Sequence, residues 1–320
     1  MTDLIGNKKT ERIRSAEELI AQGEKVLAEA GLRAEDFLIK PGKAKKEPPK
    51  AEPETQEHTP IFPGSVSDSF ILSYNPFGIA LISKSNEYFQ GTKAEIPLMQ
   101  ADNQTPLKGE VQNMYLLKRL ALVTALYKNP GLNPDNFWPI SPEQSERLLH
   151  DGKMPNASTS WEDLALLLYG HSSKGQNPVE AKALYESMKR YQRELGLSKS
   201  DLEKKLVVVN AGLEKNDKAP HGVVPVVLPG LTEAYHLDVL EKVGPNQEFK
   251  FEYGLDRGLP KIDDLGKGTR TLYMPSETAN IGLRVLVRGR NLDVVAGDGG
   301  LVSSDAGGRV RFAPQGAKKS

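Results

Sequence analysis

The chain has 320 residues, 38% of them apolar, with 42 basic side chains against 42 acidic ones and no cysteine. That is enough apolar material for one large domain or two ordinary ones, and the charge balance leaves no global field to draw the protein to nucleic acid or an anionic membrane. Disulfides, thiolate metal ligands and cysteine nucleophiles are excluded, and no apolar run approaches the roughly 20 residues that a spanning helix needs.

In chain order, the first residues, Met1 to Lys9, turn polar too soon for the core of a secretory signal, so a cytoplasmic protein is expected. Residues 1–39 form an arm in which Ile13, Ala16, Leu19 or Ile20, Val26 and Leu27 recur at near-helical spacing until Gly31. The polar face of this coiled-coil-like helix carries acids and bases alike, which suits packing on the protein itself or on a partner helix better than on a lipid surface. Residues 40–60 hold prolines, lysines and glutamates with nothing to bury, the composition of a disordered linker.

From 61 to 98 the texture turns to strand, with candidates at 70–74, 77–82 and 93–98. Residues 109–127 predict a helix that is almost without a polar face toward its end and so belongs inside a core. A loop through Phe137, Trp138 and Pro139 follows, and then three helices. Ser141-Pro142-Glu143-Gln144 opens the first and Thr159-Ser160-Trp161-Glu162 has the form of a capping box for a second over 161–169. Asn177-Pro178 opens the third, with Leu184, Met188, Tyr191 and Leu195 on one face.

Residues 205–241 change the character of the chain. Two β-branched runs, 206–209 and 223–228, predict buried strands, and Pro225 demotes the second to an edge or a bulge. Pro229-Gly230 then leads into 232–237, which has the form of a helix capped by Thr232. Beyond Gly244, short runs at 249–253, 271–274, 283–287, 292–295, 301–302 and 309–312, each bounded by turn residues, predict a meander or small sandwich. The tail 314–320 is expected to fray. The fold class is therefore α+β: 61–204 as the mainly helical part of a globular body, and 205–313 as its β-rich part.

Three places hold candidate chemistry, the first of them in two forms. On a helix over 232–237, Glu233 and His236 stand three apart and share a face, as acid and base or as half of a di-iron site. No second Glu-x-x-His occurs, so neither metal nor cofactor is expected. The same junction would offer helix N–H groups to a phosphate, but it lacks the P-loop lysine and the dinucleotide glycines, and the acidic Glu233 follows. Gly297-Asp298-Gly299-Gly300, with Asp293 and Asp305 nearby, has the composition of a calcium-binding β-roll turn, yet one irregular copy fits tight turns better. Finally, alternation puts Arg284 and Arg288 on one face of the strand near 283–288 and separates Arg309 and Arg311 from Val310 and Phe312. If those strands lie close, four guanidiniums share a face and could bind an anionic ligand; a solvated sheet face is the plainer expectation, and the aromatic platforms of single-strand binders are missing.

Trp161-Glu162-Asp163-Leu164-Ala165-Leu166, Thr232-Glu233-Ala234-Tyr235-His236-Leu237, Arg270-Thr271-Leu272-Tyr273 and Gly308-Arg309-Val310 resemble uncharacterised proteins predicted from small-genome archaea, over about residues 61–313. The resemblance implies no activity, ligand or catalytic residue. With no catalytic constellation in view, the expected function is non-enzymatic binding or assembly with a protein partner rather than nucleic acid. The alternative is a hydrolase or phosphate-ligand enzyme built on 229–236 with Glu233 and His236.

Overall fold

The computed structural model describes residues 87–89, 110–112, 115–154, 157–276, 281–302 and 308–314. All of them belong to the unit Thr59–Ser320, as distinct from Met1–His58. The expected N-terminal arm, the linker, the strands at 70–74, 77–82 and 93–98, and residues 315–320 of the tail lie outside the described residues.

The fold is α+β, with helices set around one large mixed sheet among the described residues. Helix α1 (Leu116–Lys128) is buried from Leu116 through Leu126, as its nearly all-apolar sequence requires. The stretch expected to begin this helix instead carries strand β1 (Glu110–Gln112). Trp138 lies in a short strand, β2 (Phe137–Pro139), rather than a loop. Helix α2 (Pro142–His150) starts where expected. Ser141 Oγ accepts from the Gln144 N–H at 3.2 Å while the Ser141 N–H donates to Gln144 Oε1 at 2.8 Å. Losing this reciprocal cap in Ser141→Ala should cost about 1 kcal/mol, read as a lower urea midpoint at constant slope.

The helix expected over 161–169 is strand β3 (Trp161–Leu168), and it is the centre of the sheet. Strand β10 (Leu283–Arg288) pairs along one edge of β3. The other edge is shared: Trp161 and Glu162 pair in parallel with β12 (Gly308–Pro314), and Leu166, Leu167 and Leu168 pair antiparallel with β4 (Leu206–Val209). A strand enclosed on both edges and both faces has a continuous apolar sequence, and an apolar run of that kind carries no period by which to tell it from a buried helix. Outside this triplet, β12 pairs with β1 and β2, and β10 with β11 (Val294–Asp298). Strands β9 (Arg270–Tyr273) and β8 (Glu248–Phe251) continue from β11, and β7 (Glu233–His236) lies outside β4, for ten strands in all among the described residues. Residues 301–302, expected as a strand, form a turn.

Each face of the sheet has its own core. Leu166, Leu168, Val208, Val285, Val310 and Phe312 pack with α1, with α3 (Pro178–Arg190) and with the hairpin of β5 (Gly212–Lys215) and β6 (Val223–Val226). Pro225 sits in β6, whose only partner among the described residues is β5, as an edge-strand proline should. On the opposite face, Ala165, Leu167, Val207, Leu286 and Ala296 pack with the short helix α4 (Asp238–Lys242) and with Phe251 and Leu272. Strands from both sides of residue 205 thus close on a single sheet.

Candidate functional site

Where β12 and β4 part company along β3, the sheet forks, and α2 and one tight turn border the gap. Helix α2 is fastened there by Glu146, only 1% exposed, whose carboxylate receives both terminal nitrogens of Arg270 at 2.6 Å each and the Gly254 N–H at 3.0 Å. Arg270 Nε donates in turn to the Leu292 carbonyl at 2.8 Å. A buried pair so well supplied with hydrogen bonds holds structure rather than substrate.

The turn joins Asp256 to Leu259 through reciprocal backbone bonds of 2.9 and 3.0 Å. Its two central residues, Arg257 and Gly258, both have positive φ, at 49° and 98°, the signature of a type I′ turn. Gly258 is required, since a Cβ there would come within 2.3 Å of the Pro142 backbone. Arg257 is unusual. Asn or Gly takes its position with less strain, whereas a long side chain in the left-handed region costs about 1–2 kcal/mol. Its guanidinium lies 4.5 Å from the centroid of the Tyr235 ring, and the Tyr235 hydroxyl donates to the Arg257 carbonyl at 3.4 Å.

Arg257 and Tyr235 border a cleft of about 470 Å³, completed by Ser141, Glu143 and Arg147 of α2, Val209 at the end of β4, Glu233, Leu255 and Asp256. Glu143 and Arg147 form an ion pair one helical turn apart. The side chains of Glu233 and Asp256 have no hydrogen-bond or ionic partner among the described residues. Burial pushes the Tyr235 phenol above its usual range; Arg257 opposes this, and the carboxylates of Glu143, Glu233 and Asp256 add to it. The phenol therefore stays protonated, and the cleft presents a hydroxyl, a stacked guanidinium and two unpaired carboxylates.

The expected helix over 232–237 is corrected: these residues form β7, and Glu233 and His236 point to opposite faces of the sheet. Glu233 and Tyr235 face the cleft, while Ala234 packs in the other core. His236 Nε2 lies 3.3 Å from Asp238 Oδ1. The structure thus does not bring the two residues together, because an offset of three shares a face on a helix but not on a strand. The phosphate cradle goes with the helix, and the Gly230 N–H donates to Glu194.

The four arginines do share a face, as alternation predicts, but with β3 between their two strands. β3 contributes Glu162, fully buried, whose Oε2 accepts from Arg288 at 3.0 Å and from Arg311 at 2.9 Å. Its Oε1 accepts the Arg311 backbone N–H at 3.2 Å. Arg288 also donates to the Ala157 carbonyl at 2.8 Å and Arg311 to Ser160 Oγ at 2.9 Å. Exposure is 7% for Arg284, 0% for Arg288 and 1% for Arg311, so the expected solvated face is instead a buried charge network, with Arg309 alone partly exposed. Asp298 and Asp293 act as turn and strand ligands: Asp298 accepts from the Gly300 N–H at 2.9 Å and Asp293 from the Thr271 N–H at 2.6 Å. Among the described residues no cluster of three or more His, Asp or Glu could hold a metal ion.

No family model, curated protein or solved structure matches the chain. The cleft residues Arg257, Tyr235, Asp256, Glu143 and Arg147 were not legible as a site in the sequence. The one local signal was Arg257-Gly258 between Leu255 and Leu259, a turn dipeptide whose first residue is atypical.

Proposed function

We propose that this is a non-enzymatic binding or assembly protein of the cytoplasm, and that the cleft between α2, β7 and the 256–259 turn is where it takes its ligand. The observation that carries this is Arg257: a strained backbone holds a guanidinium over Tyr235 at the mouth of a polar cleft, and strain of that sort concentrates where a side chain must be presented. Unpaired Glu233 and Asp256 supply acceptors beside it. The opposed Glu233 and His236 remove the support for acid–base hydrolysis at 229–236, and the buried arginines remove the support for a polyanion site.

Thermal-shift measurements on the full chain with arginine, lysine, glutamate and Lys-Glu and Glu-Lys dipeptides test the proposal. At least one should raise the melting temperature of wild type and leave Arg257→Asn unchanged, because Asn keeps the turn and removes the guanidinium. Arg257→Asn alone should melt no lower than wild type, as backbone strain is relieved. Turnover of p-nitrophenyl phosphate or p-nitrophenyl acetate that disappears in Glu233→Gln would overturn the binding reading in favour of an enzyme.

A further inference from the structure

Beyond the cleft, β7 presents an edge that is unoccupied among the described residues. Among the described residues it pairs with β4 alone, in unbroken register from Leu206↔His236 to Val209↔Glu233, and no other backbone hydrogen bond of residues 233–236 is made there. In an edge strand, alternate residues direct N–H and C=O outward, a template for one more strand. Natural edges are blunted by short strands, charged side chains, prolines or bulges. β7 is short and carries the exposed, acidic Glu233, but has no lysine, proline or bulge, so its one protecting charge is of the sign that a basic strand would neutralise.

The cleft lies against that strand, and its charge selects what could be added. It carries the carboxylates of Glu143, Glu233 and Asp256 against the guanidiniums of Arg147 and Arg257. Arg147 is matched by Glu143, and Arg257 is stacked on Tyr235 without a carboxylate partner, so among the described residues Glu233 and Asp256 are left against one guanidinium and the cleft carries a net negative charge. Glu233 and Tyr235 face the cleft from alternate positions of β7, so an added strand would project every second side chain toward the same carboxylates, at a repeat of about 6.6–7 Å.

Building on the reading of the cleft as a binding site, we infer that β7 accepts an extended basic peptide as an additional strand, with lysine or arginine at alternate positions facing Glu233 and Asp256. The backbone ladder supplies affinity, and the alternate basic side chains supply selection.

Fluorescence anisotropy on the full chain tests this with labelled Lys-Val-Lys-Val-Lys-Thr-Lys, its counterpart with Glu in place of Lys, and two versions of the basic peptide N-methylated at odd or at even residues. The basic peptide should bind at least about tenfold more tightly than the acidic one, a difference that shrinks with added salt. N-methylation in one register should weaken binding by about tenfold or more while the other register is tolerated, since only alternate N–H groups face β7. The double variant Glu233→Gln, Asp256→Asn should lose most of the preference for the basic peptide. Equal binding of both methylated forms, or no binding of the basic peptide, would overturn strand addition. An Arg257-dependent thermal shift with the amino acids or dipeptides would survive that result and keep the cleft reading, whereas loss of both would end it. A concentration-dependent dimer in sedimentation that the basic peptide fails to dissociate would assign the edge to a second copy of the chain, and so also overturn the inference.

Discussion

Glu162→Gln is expected to lower the unfolding free energy by about 3–5 kcal/mol, the range for removing one member of a buried ion network. The substitution preserves size and an acceptor for the Arg311 N–H, so the loss is electrostatic. Arg288 and Arg311, 0% and 1% exposed, would keep their charges with no carboxylate between them. Arg119, 1% exposed and bonded to the Ile140 carbonyl at 2.7 Å, adds a third buried guanidinium nearby. Burial pushes the Glu162 carboxyl up, but Arg311, Arg288 and Arg119 together outweigh it and hold the group below the usual carboxylate range. Urea unfolding followed by circular dichroism measures the effect. A triple replacement, Glu162→Leu with Arg288→Met and Arg311→Leu, should be less harmful than Glu162→Gln, because it removes the two guanidiniums bonded to Glu162 and leaves only Arg119, which keeps Asp163 as a carboxylate neighbour. Equal urea midpoints for wild type and Glu162→Gln would show that the network contributes nothing.

Stability should fall as pH rises from about 4 to about 8, through the neighbouring Asp163. Burial pushes its carboxyl up to about 7 from 3.8; Arg119 opposes this, and Asp298 and Glu162 add to it. The Leu116 N–H at the start of α1 also bonds to it and favours the charged form. A folded-state value above the unfolded one means that the folded protein holds the proton more tightly. The stabilisation is therefore complete below the unfolded value and lost as pH rises through about 7, by at most about 4 kcal/mol for a shift of this size. Glu162 works in the opposite direction, since its depressed value supports the fold above the unfolded carboxylate range and is lost in acid. Asp163→Asn should flatten the neutral limb of a melting-temperature profile and raise stability at pH 8 while leaving the acid limb in place. A wild-type profile already flat from pH 4 to 8 would contradict the assignment.

Local chemistry made much of the fold legible. The Ser141-Pro142 start marked α2, the Asn177-Pro178 start marked α3, and the sequence of α1, nearly apolar on every side toward its end, announced a buried helix. Alternation along 283–288 and 309–312 placed the arginines on one face correctly. Three readings failed for a common reason. Residues 161–169 and 232–237 have start signals for helices and apolar content that suits either state, and Phe137–Pro139 has the composition of a loop. Each became a strand because a partner distant in the chain was waiting: β10, β12 and β4 for β3, β4 for β7, and β12 for β2.

By itself, then, the sequence determined the α+β class, the starts of α2 and α3, the two-faced alternation of the late strands and the absence of any cysteine chemistry. Tertiary structure alone decided that Glu162 lies between two arginine-bearing strands, that Glu233 and His236 part to opposite faces, and that Arg257 meets Tyr235 across 22 residues of chain. Caps, turns and periodicity act within a few residues and are written where they act. Strand pairing and charge neutralisation join residues more than a hundred positions apart, as Glu162 does with Arg288 and Arg311, and no local pattern records which distant edge a strand will meet.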